Sequence, residues 1–194
     1  MKPLPVHAWP GDAPAKTGAW PDGVFVISVA TSPDRAVARA QLRQALTDAL
    51  AAFLGMPAHA IGIDATPGAA PTAWAALADG RRRIRCSFAH DDGLSLAAVN
   101  LHGAVGIDLM RVQDIDDWQA VARDYLGPSV TQTIANTAPA QRPQAFARAW
   151  TAREAQLKRE GTALHEWGEG SGASGVSLEL DLPAGWVGTL NLDV

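Results

Sequence analysis

The order in which this chain changes its hydrophobic rhythm constrains its fold more than any other feature. Val24 to Ala30, VFVISVA, is a short β-branched run bounded by Asp22-Gly23 and reads as a buried strand. Ser32 then reads as a cap and Pro33 as the first helical position. Apolar residues recur at Val37, Ala40, Leu42, Leu46, Leu50 and Leu54 until Gly55, the spacing of a long amphipathic helix. Residues 57 to 80 read as loop around Pro67-Gly68, with a short helix over 73 to 79. Three strands follow, Arg82 to Ala89, Leu94 to Asn100 and Ala104 to Leu109, separated by Asp91-Asp92-Gly93 and His102-Gly103; this spacing predicts an antiparallel meander. Helical spacing returns over Trp118 to Leu126 and more strongly over Pro143 to Glu160. A Gly/Ser-rich loop, Gly168 to Gly175, leads into the strands SLELDL and WVGTLNL, joined by Pro183-Ala184-Gly185.

Because strands and helices are grouped and do not strictly alternate, the expected class is α+β. The order strand, long helix, strands, then helices, long helix, strands suggests two similar α+β halves. They meet near residue 103: an N-terminal half over 1–103 and a C-terminal half over 104–194. Pro3, Pro5, Pro10, Pro14 and Pro21 make residues 1 to 22 an extended arm, suited to pairing at a sheet edge.

Composition narrows the partners. With 47% hydrophobic and 19% charged residues in 194, the chain can bury a core, and wholesale disorder is excluded. No apolar run approaches the roughly 20 residues of a membrane helix, and the proline-broken N-terminus is not expected to be a secretory signal. Cys86 is the single cysteine, which excludes an internal disulfide framework and a cysteine-built zinc site; a reduced, cytoplasmic protein is the expectation. Sixteen basic against twenty acidic residues give a net charge of -4, with no global attraction for nucleic acid.

Two Gly-Ile-Asp triplets occur, at 62–64 and 106–108. Asp64 lies beside Pro67-Gly68 and reads as a turn residue. Asp108 ends an otherwise apolar run, so its carboxylate either caps a turn at the strand end or is paired, protonated or metal-bound. Downstream, in WTAREAQLK at 150–158, the four-residue spacing of Trp150, Glu154 and Lys158 places them on one helical face. Such a face is either a surface salt bridge or part of a site. Arg81, Arg82, Arg83 and Arg85 form a basic cluster whose alternation puts Arg82 on the opposite side from the other three. They read either as a charged strand edge or as a phosphate holder.

Taken together, GIDLM at 106–110 and WTAREAQLK at 150–158 resemble the paired signature of the 4′-phosphopantetheinyl transferases, a G-[IV]-D strand end followed by W-[ST]-x-[KR]-E-[AS]-x-x-K on a helix. Ser87-Phe88-Ala89-His90 resembles that family's F-N-x-S-H-S segment, and Gly80-Arg81 falls where the family often has Gly-Lys. The length is similar to the Sfp-like group, whose single chain forms two related halves in pseudo-twofold arrangement around one cleft, which implies a monomer.

The resemblance implies transfer of 4′-phosphopantetheine from coenzyme A to a serine of an apo acyl or peptidyl carrier protein, with Mg2+ as cofactor and 3′,5′-ADP as product. It implies Asp108 and Glu154 as metal ligands. Glu154, or a water it orients, would also take the proton of the attacking serine, Lys158 would balance charge on the transferred phosphate, and His90 would contact the pyrophosphate. Arg81 and Arg83 are the expected holders of the 3′-phosphate, and Arg148, Arg153 and Arg159 are either the local attraction for an acidic carrier or ordinary helix-surface charges. Three positions depart from the family pattern: Met110 replaces a common Glu, Ala89 a common Ser, and Asp91 follows the histidine. The linker Ser129 to Thr137 is also uncharged where the family often has a Glu. These departures motivate the alternative of a non-catalytic carrier-protein or coenzyme A binding module on the same scaffold.

Overall fold

A computed structural model describes residues 3–11, 23–66, 69–77, 80–168 and 174–193. The expected Pro67-Gly68 turn, Pro14, Pro21 and Asp22 of the arm, and 169–173 of the Gly/Ser-rich loop lie outside them. The described residues form two sheets and four α-helices, the α+β class expected. No helix among them is long and apolar enough to cross a membrane.

The arm contributes two short strands, β1 (Leu4–Pro5) and β2 (His7–Ala8), followed by β3 (Val24–Ala30) and the long helix α1 (Arg35–Leu54). The cap of α1 is Asp34, two residues beyond the expected Ser32. Its carboxylate accepts from the Ala36 and Val37 amides at 2.9 and 3.0 Å, while Ser32 Oγ accepts from the Asp34 amide in the preceding turn. At the other end Gly55 adopts φ 68°, the left-handed stop the sequence indicates.

Residues expected to be loop and helix form two strands, β4 (Ile61–Asp64) and β5 (Thr72–Leu77). The reason is a period of two: Ala73 and Ala75 are buried on the α1 side, and Trp74 points the other way. Trp74 lies flat over its cross-strand partner Gly62, where a Cβ would stand 2.1 Å from the indole. Burial thus overrides the helical preference of alanine. Asp64 accepts from Thr66 Oγ1 at 3.0 Å, the turn role expected of the first triplet.

The long strand β6 (Gly80–Asp91) turns through Asp92-Gly93 into β7 (Leu94–Asn100). Asp92 and Gly93 have φ 33° and 84°, as a two-residue turn between antiparallel strands requires. The third strand of the expected meander, β8 (Val105–Arg111), does not join β7. It pairs antiparallel with β10 (Trp186–Leu192), which also pairs with β9 (Val176–Asp181). One sheet therefore has the order β2-β3-β7-β6-β5-β4 and the other β1-β9-β10-β8. The arm pairs at both sheet edges, β1 along β9 and β2 along β3.

Between β8 and β9 lie α2 (Trp118–Val121), continued by a wider turn over Ala122–Leu126, then α3 (Pro128–Ala135) and α4 (Arg142–Glu160). Helix α3 replaces the expected linker. Pro128 occupies its first turn, and Thr131 and Thr133 hydroxyls return bonds to carbonyls four residues back.

Helix α1 buries Leu42, Leu46 and Leu50 against Phe25, Ile27, Ile84 and Val99 on one face of the first sheet. Each such leucine contributes about 1.5–3 kcal/mol. The opposite face, with Val26, Ala89 and Leu96, packs on Ile107, Leu109 and Leu190 of the second sheet. Phe146 and Trp150 of α4 close a third cluster with Leu126, Ile134 and Met110.

Candidate active site

The second Gly-Ile-Asp triplet sits where α4 crosses β8. A Cβ at Gly106 would stand 1.8 Å from the Ala155 carbonyl oxygen and 2.5 Å from the Arg159 nitrogen, so only glycine lets the helix backbone rest directly on the strand. A buried hydroxyl pair, Thr151 Oγ1 to Thr189 Oγ1 at 2.9 Å, ties the same helix to β10, and Thr189 is the cross-strand partner of Asp108. The helix register this sets brings Glu154 and Lys158 over Asp108.

Lys158 reaches across the junction. Its Nζ donates to Asp108 Oδ1 at 2.7 Å, the Ile107 carbonyl at 3.1 Å and the Phe88 carbonyl at 3.4 Å. One ammonium thereby joins α4, β8 and β6, in place of the surface pair with Glu154 that helical spacing also allowed. Asp108 is only 8% exposed. Burial holds its carboxyl above the ordinary range, with the Lys158 cation and the Leu109 amide only partly opposing the rise and the Asp91 charge adding to it. Glu154 is also raised, first by burial and then by the Asp108 charge, with Lys158 and Arg153 opposing. Two carboxylates thus share chiefly one ammonium.

His90 lies on the cleft-facing side of β6. Its Nδ1 is 2.8 Å from Ser95 Oγ, which is 2.7 Å from Thr31 Oγ1. Burial, together with the cations Arg39, Lys158 and Arg35, lowers its pKa to about 4, so the ring is neutral at pH 7. A cleft of about 350 Å³ opens beside it, with Arg39, Arg43, Phe88, His90, Lys158 and Thr162 among its walls.

The structure therefore brings together Asp108, Glu154, Lys158 and His90. It does not bring Arg81 and Arg83 to them. Arg81 stacks its guanidinium 4.4 Å from the Trp74 ring and Arg83 bonds Thr72 Oγ1 at 3.3 Å, neither lining the cleft. The cleft's own guanidinium groups are Arg39 and Arg43 on α1, which sequence reasoning missed. Arg35, Arg39 and Arg43 are spaced four apart, and that polar stripe was the available signal. Arg148 pairs with Glu179 at 3.6 Å, Arg153 bonds His165 at 3.1 Å, and Arg159 is clamped by Asn191, Asp193 and Ser174.

Met110, where a further carboxylate is common in the resembling family, packs into the third cluster. No group of three or more His, Cys, Asp or Glu suited to a metal occurs among the described residues. Two partly opposed carboxylates short of positive charge do fit a hard cation such as Mg2+, which takes one or two carboxylates and fills its remaining positions with phosphate oxygens and water.

Comparison with known proteins bears on the same stretch. Residues 104–180 match the family described as the 4′-phosphopantetheinyl transferase superfamily. Among curated proteins the chain is similar to the 4′-phosphopantetheinyl transferase HetI of Nostoc sp. (strain PCC 7120), at 30% identity over 78 residues. That match covers 40% of this chain and 33% of HetI, so the chain spans about a third of that relative's length. The superfamily match includes β8 and α4, and therefore Asp108, Glu154 and Lys158, whereas His90 and the two cleft arginines lie before it.

Proposed function

We propose that the chain transfers 4′-phosphopantetheine from coenzyme A to a serine hydroxyl of an apo acyl or peptidyl carrier protein, with Mg2+, releasing 3′,5′-ADP. The observation that carries this is the junction of Asp108, Glu154 and Lys158, whose lysine lines a cleft walled also by Arg39, Arg43 and His90. A pyrophosphate needs that concentration of positive charge, which a chain of net charge -4 supplies only locally.

Asp108 and Glu154 would hold the metal, whose charge would stabilise the pyrophosphate oxygens. Arg39 and Arg43 present forked donors suited to a phosphate. When Thr31 donates to Ser95 and Ser95 to His90 Nδ1, the other ring nitrogen carries the proton and is a donor toward the cleft. Glu154, with its raised pKa, accepts the proton of the carrier serine as the serine oxygen bonds phosphorus and the bond to 3′,5′-ADP breaks. All three Lys158 donors are engaged, so Lys158 reaches a phosphate by giving up its longest bond, to the Phe88 carbonyl.

In this reading the chain is a cytoplasmic monomer of two pseudo-twofold-related halves, 1–103 and 104–194. In support, the strands from His7 to Asn100 form one sheet and those from Val105 to Leu192 the other, joined there by β1 alone. Incubation with coenzyme A, Mg2+ and a panel of apo carriers should add the phosphopantetheine mass to at least one; no gain on any carrier overturns the proposal. Met110, half-buried against the third cluster where a further carboxylate is common, favours a second reading, a module that binds coenzyme A or a carrier without turnover. Calorimetric binding without mass gain would select it.

A further inference from the structure

We propose that Asp91 is a positioning residue, a latch that fixes the end of β8, and with it Asp108, against the β6 wall of the cleft; its catalytic consequence rests on the transferase reading. Strand β8 pairs with β10 over its whole length, from Val105 to Arg111. On its other edge, the Ile107 amide donates to Ser87 Oγ at 3.1 Å and the Arg111 amide to Asp91 Oδ2 at 2.7 Å. Donors and acceptors are each four residues apart, so β6 meets β8 at two points about 13 Å apart and in the same sense. Asp108 lies between them. These bonds run from side chain to backbone, which joins the two sheets without extending either ladder.

Alternation along β6 makes Asp91 and His90 opposite in effect. Asp91 faces β8, while His90 faces α1 and the cleft. Sliding β8 along β6 would change the separation of Asp108 from His90 and would strain the Lys158 ammonium, which holds Phe88 on one strand and Ile107 on the other. The turn residue Asp92 adds an exposed ion pair with the Arg111 guanidinium, which contributes little by itself. The Asp91 carboxylate is engaged by the Arg111 amide on the β8 side of β6, opposite His90, and its charge adds to the rise of the Asp108 carboxyl.

Asp91→Asn keeps an acceptor oxygen, and Asp91→Ala removes it. Amide hydrogen exchange in the protein without coenzyme A should rise about tenfold at Arg111 in D91A and stay near wild type in D91N. For transfer, D91A should lower kcat about tenfold with KM for coenzyme A within about twofold, and D91N should restore most of kcat. Should D91A not fold, Asp91→Ser, whose shorter side chain falls short of the amide, is read in the same way. Unchanged Arg111 exchange in D91A overturns the latch. Equal loss of kcat in D91A and D91N overturns its positioning role in favour of the charge. If the wild-type chain modifies no carrier, the transferase reading fails, and the exchange measurement alone decides the latch.

Discussion

The two walls of the cleft are built by different means. The wall of α4 presents Lys158 to the cleft and groups it with Asp108 and Glu154 at a helix-on-strand contact too close for a side chain, where the charges are partly desolvated. The wall of α1 and β6 carries Arg39, Arg43 and His90 at ordinary packing distances, with Arg39 exposed. The first wall combines chemistry with architecture, so a change there alters both. On the second, the cleft-facing groups lie outside the buried cluster that packs α1 on its sheet.

The sharpest break of this comparison is Gly106→Ala. A methyl 1.8 Å from a backbone oxygen must displace α4, and the expected loss is about 3 kcal/mol or more in urea denaturation, with transfer abolished. A G106A protein of normal stability and activity would remove the distinction between the walls. Next in size is Glu154→Gln, expected to lower transfer by about a hundredfold or more while the denaturation midpoint holds or rises, since a crowded negative charge is removed. Arg39→Ala and Arg43→Ala should each raise the Kd for coenzyme A about five- to fiftyfold, measured by calorimetry, with little change in stability. Arg81→Ala and Arg83→Ala, away from the cleft, should stay within about twofold.

The smallest effect concerns pH. The folded-state pKa of His90, about 4, is below its unfolded value near 6.5, so the neutral ring favours folding above the unfolded pKa. That contribution is lost as pH falls from about 6.5 to 4. His90 is only partly buried, so screening reduces the contribution to about 1 kcal/mol. His90→Gln should therefore narrow the gap between urea midpoints at pH 7 and pH 4.5, and an unchanged gap would show that His90 does not titrate with unfolding.

The same contrast explains which parts were legible beforehand. α1 and α4 have strong helical periodicity, β3, β7 and β10 are short apolar runs, and Asp108, Glu154 and Lys158 were legible through the resemblance of GIDLM and WTAREAQLK to the paired family signature. Residues 72 to 77 misled because their alanines favour a helix until burial against α1 decides otherwise. The transfer of β8 to the other sheet depends on β10, some 80 residues away, and nothing local to β8 encodes that partner. Arg39 and Arg43 were missed because a helix stripe looks alike whether it faces water or a ligand.

Lys158 has a consequence for inheritance. Because its ammonium bonds two carbonyls and a carboxylate on strands of different sheets, a descendant without transfer activity would still have a structural use for it. Asp108 shares that use, as its direct partner. Retention of the Asp–Lys pair is therefore poor testimony that a chain of this kind is active. Glu154, which burial and the neighbouring carboxylate both disfavour as an anion, has less structural reason to persist, and is the position at which lost activity would first become visible.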